Sequence, residues 1–166
     1  MTFPAGRPVD HAPADQAEAR EISTINPVTG LSTDYLNHFT EAIMVLEMAA
    51  AMPECLDDLR SWRPKTYREH FATSRFTGRD AVIAAYDAAD PSVRDALDSV
   101  AETLNAVLLD TRDVFLGRGL GPDTEALAQR AVTWLKPLIA RAASVINGAG
   151  ETRGTTQAAV DALFDR

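Results

Sequence analysis

The chain is short of the residues that build covalent or metal-centred chemistry. Its single cysteine, Cys55, rules out an intramolecular disulfide. Three histidines, His11, His38 and His70, are scattered over 166 residues and form neither a Cys/His zinc spacing nor the paired Glu-x-x-His of a carboxylate-bridged di-iron bundle. Glycine-rich phosphate loops and a nucleophile elbow are missing, which argues against nucleotide-dependent and zinc-dependent chemistry and leaves the chain with no cofactor of its own. Basic residues are few as well. Sixteen Lys and Arg against 24 Asp and Glu give a formal charge of −8, which argues against nucleic acid or an anionic membrane as the main partner. Only Arg60, Arg63, Lys65 and Arg68 cluster, and they fit a solvated turn or a contact with an acidic protein surface. No apolar run is long enough to span a bilayer, and no basic start precedes an apolar signal core. The expectation is a cytoplasmic protein. Strand alternation is also missing, which leaves helix.

What is present is a 46% apolar composition, enough for the core of one domain. Residues 1–30 are rich in Pro, Ala, Asp and Glu, carry four prolines and show no apolar period, the composition of a disordered leader. Asn26-Pro27-Val28-Thr29-Gly30 turns the chain, and Ser32-Thr33-Asp34 offers caps for a helix over 34–51 whose inward residues are Leu36, Phe39, Ile43, Leu46 and Ala50. Pro53 and Pro64 punctuate a short helix over 54–62, and two more follow over 66–73 and 80–89.

Two long helices come next. Asp90-Pro91-Ser92 opens the first, with Val93, Leu97, Val100, Leu104, Val107, Thr111 and Val114 at alternating steps of four and three. Gly117, Gly119 and Gly121 end it. Pro122-Asp123-Thr124 opens the second, with Leu127 or Ala128, Ala131, Leu135, Leu138, Ala142 and Val145 facing inward and Pro137 expected to kink it unless it is accommodated there. About five residues join the two, so an antiparallel hairpin is predicted. The fold class is therefore all-α: a helical bundle built on a long hairpin, with a layer of short helices including Trp62, Tyr67, Phe71, Phe76 and Tyr86 as aromatic plugs. An uncovered edge of the heptad seam would favour a homodimer.

The last twelve residues stand apart. Gly148, Gly150 and Gly154 make 148–154 a flexible linker, after which Thr156 can cap a short helix bearing Val160, Leu163 and Phe164 on one face and Gln157, Asp161 and Asp165 elsewhere. The organisation predicted is thus a leader over 1–30, a bundle over 31–147, a linker over 148–154 and a partner-binding amphipathic helix over 155–166. The order Thr156-Gln157-x-x-Val160-Asp161-x-Leu163-Phe164 resembles the peptide with which flagellar switch proteins and the chemotaxis phosphatase CheZ grip the response regulator CheY. That resemblance covers under a tenth of the chain. It implies that a CheY-like response regulator is the partner, engaged in the helix-in-groove mode.

Three kinds of residue then become candidates. Promoting hydrolysis of a receiver's phosphoaspartate asks for one side-chain amide to orient water and one carboxylate to set register, since the receiver supplies the Mg2+ and the acyl phosphate. Acid and amide must project together from a rigid helix, as spacings of three or four provide. CheZ uses Asp-x-x-x-Gln, and the CheC and CheX families use Glu-x-x-Asn. Glu102 and Asn105 match the second spacing and are expected opposite the seam and exposed; Glu125 and Gln129 are the alternative, and Asp34 with Asn37 a weaker third. His38, on a side of the first helix shared with Asp34, Asn37 and Glu41, is the candidate for phosphotransfer. A non-catalytic adaptor or phosphate sink is the remaining reading.

Overall fold

A computed structural model describes residues 24–49 and 52–149. Six α-helices account for most of it: α1 (Asn37–Ala49), α2 (Cys55–Ser61), α3 (Tyr67–Ala72), α4 (Arg79–Ala88), α5 (Pro91–Arg118) and α6 (Pro122–Ile146). A 3-10 turn, Thr33–Leu36, leads directly into α1. The fold is all-α; among the described residues the only extended pairing is an isolated antiparallel bridge between Ile25 and Ser32. No helix in this part is long and apolar enough to cross a membrane.

The caps follow from the local sequence. Asp90 accepts a hydrogen bond from the Ser92 amide at 2.8 Å, and Pro91 takes the first helical position, where a missing amide costs nothing. Thr66 and Glu69 form a reciprocal capping box at the start of α3. Gly119 follows α5, and Gly121 precedes α6, so three residues make the turn of the hairpin. Pro137 is accommodated within α6, which runs unbroken to Ile146 on either side of it.

Helices α5 and α6 pack on each other as the largest interhelical contact, α1 lies against both, and α2 wedges between α1 and α5. In α5 the buried line is Leu97, Val100, Ala101, Leu104, Leu108, Thr111 and Phe115. The heptad reading placed Val107 and Val114 in that line, but both are half-buried. A seven-residue repeat assumes 3.5 residues per turn, whereas a straight helix turns every 3.6, so the inward line slips by about 20° per heptad. Two heptads are enough to exchange those valines for Leu108 and Phe115. The same drift in α6 buries Ile146 and leaves Val145 half-buried.

The stretch that composition assigned to a leader, residues 1–30, overlaps the described structure at its end. Residues 24–30 belong to the packed structure. Asn26 Oδ1 accepts from the amides of Val28 and Thr29 at 2.9 and 3.1 Å, and the Asn26 and Leu31 backbones close the turn. Buried Thr29 donates its hydroxyl to the Ile146 carbonyl at the far end of α6. That tie joins positions 117 apart in the chain, beyond the reach of any local pattern. Gly30 sits at φ 73°, and a Cβ there would lie 3.0 Å from the Ala85 carbonyl oxygen of α4. Both the backbone angle and the close approach demand glycine. Gly30→Ala is therefore expected to lower the unfolding free energy by about 1–3 kcal/mol, read as a shifted midpoint in urea denaturation with an unchanged slope.

Candidate functional site

The predicted residues do not converge on one place. The partner-binding set, Thr156, Gln157, Val160, Asp161, Leu163 and Phe164, lies outside the described residues, as does the linker beyond Ala149. What the structure shows is how α6 stops. Gly148, at φ 72°, donates its amide to Val145, and Ala149 donates to Ser144 at 2.9 Å, the two bonds of a Schellman motif. The helix is thus terminated before the peptide segment begins.

Glu102 and Asn105 both lie on α5, and only the acid is exposed. Asn105 shares a seven-residue line with Asp98 and Arg112. Asp98 accepts the Tyr86 hydroxyl at 2.7 Å, and Arg112 Nη1 donates to the Trp62 carbonyl at 3.1 Å. The flank that carries Asn105 therefore faces the short-helix layer. Asn105 is half-buried, and its Oδ1 is sealed from solvent without a hydrogen-bond partner. The expectation that this pair stands exposed opposite the seam is corrected for the amide. A helix wheel reports the face toward α6 but not the second flank taken by short helices from upstream.

Glu125 and Gln129 stand four apart on the first turns of α6, and both are exposed. Together they line a groove of about 310 Å³ against Leu46 and Glu47 of α1. Gln129 also borders a wider groove of about 680 Å³ that runs past Arg118, Asp123 and Arg130. Of the acid and amide pairs on the long helices, this is the one whose amide reaches solvent.

His38 is only 7% exposed. Its ring stacks on Trp62 at 5.1 Å, meets Phe39 edge-on, and lies 5.9 Å from the ring of His70. The Trp62 indole N–H donates to the His38 carbonyl, and His38 Nε2 is buried with no partner. Burial pushes the His38 pKa down to about 4, with His70 and Lys65 adding to the effect and a backbone hydrogen bond with Arg63 opposing it. Burial likewise lowers His70, again with Lys65 adding to it. A phosphoryl acceptor must present a ring nitrogen to an incoming phosphate, and this one is covered by Trp62. Asn37 and Glu41, on the same helix, are exposed.

Charges are used locally in most places. Within the basic cluster, Arg60 pairs with Asp57, Arg68 with Asp87, Lys65 donates to Thr73, and Arg63 donates to neighbouring carbonyls. Arg75, Arg94, Arg118, Arg130 and Arg141 have no ion-pair partner among the described residues. Exposed Trp134, on α6 near two of them, was not singled out in the sequence, because a tryptophan on a predicted bundle helix reads as core. Tyr35 was not singled out and His70 was read only as one of three scattered histidines, yet both join the aromatic cluster of Tyr67 and Phe71, which continues through His38 to Trp62. Among the described residues no group of three or more His, Cys, Asp or Glu is placed to hold a metal ion.

The buried histidines make stability depend on acid. The unfolded chain takes up a proton at His38 near the ordinary value of 6.5, whereas the folded chain resists it down to about 4. The stabilising contribution of the neutral ring is complete above pH 6.5 and is lost as pH falls through 4. His38→Phe is expected to flatten the decline in unfolding free energy between these limits, measured by denaturant titration across that range, and the ring of His38 should remain neutral by NMR at pH 5.5.

No protein-family model, curated protein or solved structure matches this chain.

Proposed function

We propose that this protein captures a CheY-like response regulator with residues 155–166 and promotes hydrolysis of the regulator's phosphoaspartate. The observation that carries the reading is the order Thr156-Gln157-x-x-Val160-Asp161-x-Leu163-Phe164, set beyond a glycine stop at Gly148 and after a glycine-bearing stretch. A short helix of this kind gains its stability from the surface it docks on. Tethering would hold the receiver near the bundle at an effective concentration of roughly millimolar, so that a weak second contact suffices. Such a partner would place the protein in the cytoplasm.

The exposed pair on α6 suits the chemistry better than the pair on α5. Gln129 would hold a water in line with the phosphorus while Glu125 engages the receiver's lysine and fixes register. Water adds to phosphorus as the bond to the aspartyl oxygen breaks, releasing inorganic phosphate and restoring the carboxylate. The receiver's Mg2+ offsets the developing charge. Asn105, with its oxygen sealed, would need α5 to part from the short-helix layer before it could serve, and Glu102 alone supplies no amide. His38 would likewise need Trp62 to leave before it could take a phosphoryl group.

Deleting residues 155–166 is expected to weaken receiver binding by about tenfold or more, given hot-spot losses of at least ~1.4 kcal/mol for such anchors; unchanged affinity in isothermal titration would remove the reading. Loss of phosphate from a labelled receiver should be accelerated by the intact protein, and Gln129→Ala should abolish most of the acceleration while Asn105→Ala leaves it. If decay never exceeds the receiver's own rate, the protein is an adaptor or phosphate sink. Label that appears on this chain and vanishes in His38→Gln would establish phosphotransfer.

A further inference from the structure

We infer that segment 155–166 also has a docking place on its own chain, an outward stripe of α6 centred on Trp134, and that this stripe competes with the receiver for the segment's apolar face. Trp134 is 69% exposed, an unusual position for an indole on the flank of a helix's core face. Arg130, Trp134 and Arg141 fall on one line of a 3.6-residue helix. Half-buried Leu127 and Leu138 border that line.

Arg60, Arg68, Arg79, Arg112 and Lys136 each sit beside a carboxylate; Arg130 and Arg141 are exposed and, like Arg63, Lys65, Arg75, Arg94 and Arg118, have no ion-pair partner among the described residues, and they are the two that share a line with an exposed indole. A chain of net charge −8 thus keeps two unpaired guanidinium groups on either side of an exposed indole. The occupant that fits must carry apolar knobs with carboxylates beside them. Segment 155–166 supplies both: Val160, Leu163 and Phe164 on one face, with Asp161 and Asp165 one turn apart at its edge.

Reach is also right. Trp134 lies about 18 Å back along the helix axis from Ile146 at 1.5 Å per residue. Residues 150–155 span at most about 20 Å when extended. The segment can therefore return antiparallel to α6 with Leu163 and Phe164 on Trp134 and Asp165 on the Arg130 side; Asp161, about 6 Å from Asp165 along its own helix, then falls between Trp134 and Arg141, whose side chain tilts back toward it. Because the contact is intramolecular, an effective concentration of roughly millimolar lets a weak helix–helix contact be populated. The docking stands on α6 and the segment alone; only the competition rests on the receiver reading.

The test uses the full-length, 15N-labelled chain, whose two indole N–H cross-peaks belong to Trp62 and Trp134 and are assigned with Trp134→Phe. In the double substitution Leu163→Asp and Phe164→Asp, the Trp134 cross-peak should shift while that of Trp62 stays in place. Reversing charge at Arg130→Glu with Arg141→Glu should move Trp134 in the same direction. Both shifts should be independent of protein concentration. A Trp134 cross-peak that moves in neither variant overturns the inference, and a position that changes on dilution assigns the stripe to a second copy of the chain and overturns it too. None of these readings needs a receiver. If the shifts are seen but no variant binds a receiver, the docking holds and the receiver assignment fails. If both hold, Trp134→Ala should tighten receiver binding severalfold, because the intramolecular competitor has been removed.

Discussion

Burying three tyrosine rings at the heart of the short-helix layer obliges the fold to find a partner for each hydroxyl, and the partners lie on three separate segments. Tyr67 accepts from the Ser32 amide at 2.8 Å, Tyr35 donates to the Lys65 carbonyl at 2.8 Å, and Tyr86 donates to Asp98 on α5 at 2.7 Å. Tyr67 and Tyr86 stack with centroids 4.5 Å apart. An unpaired buried hydroxyl costs on the order of 1–3 kcal/mol, so displacing any one segment exposes the cluster to that loss. Burial raises all three phenol pKa values, which keeps the hydroxyls protonated and in place.

The fate of the candidate residues follows from that layer. Once α3 and α4 are pinned against the 3-10 turn and α5, Trp62 is brought over His38 and tied to Arg112, and the α5 flank bearing Asn105 is covered. Two residues that look chemically available in the sequence are thereby enclosed. The side of the hairpin away from the layer is left open, and Gln129, Arg130, Trp134 and Arg141 stand there. An exposed acid and amide pair and an exposed indole are thus both found on α6.

Much of the architecture was legible because it is written in local chemistry. Asp90-Pro91, Thr66 with Glu69, Pro53 and the glycines around 119–121 announce helix ends, and periodicity announces the hairpin. What escaped was the slip of the buried line from Val107 to Leu108 and from Val114 to Phe115, since short windows cannot separate periods of 3.5 and 3.6. The turn at 26–30 was legible from its own residues, but its packing on the bundle was not, because its anchor, the Ile146 carbonyl, lies more than a hundred residues away. For the site, spacing picks out acid and amide pairs that share a helix face but does not say which flank other helices occupy. That information resides in which side chains meet across the fold, as with Asp98 and Tyr86.

The tie between Thr29 and the last carbonyl of α6 has a mechanical meaning. A Cβ at Gly148 would lie 3.5 Å from the Thr29 methyl, so the strand entering the bundle and the strand leaving it share one corner. Tension applied through both flanks would peel that corner apart one bond at a time. The aromatic layer and the hairpin would bear load after that corner, where this hydrogen bond shares a pull with the ties of Thr24, Asn26 and Gly148.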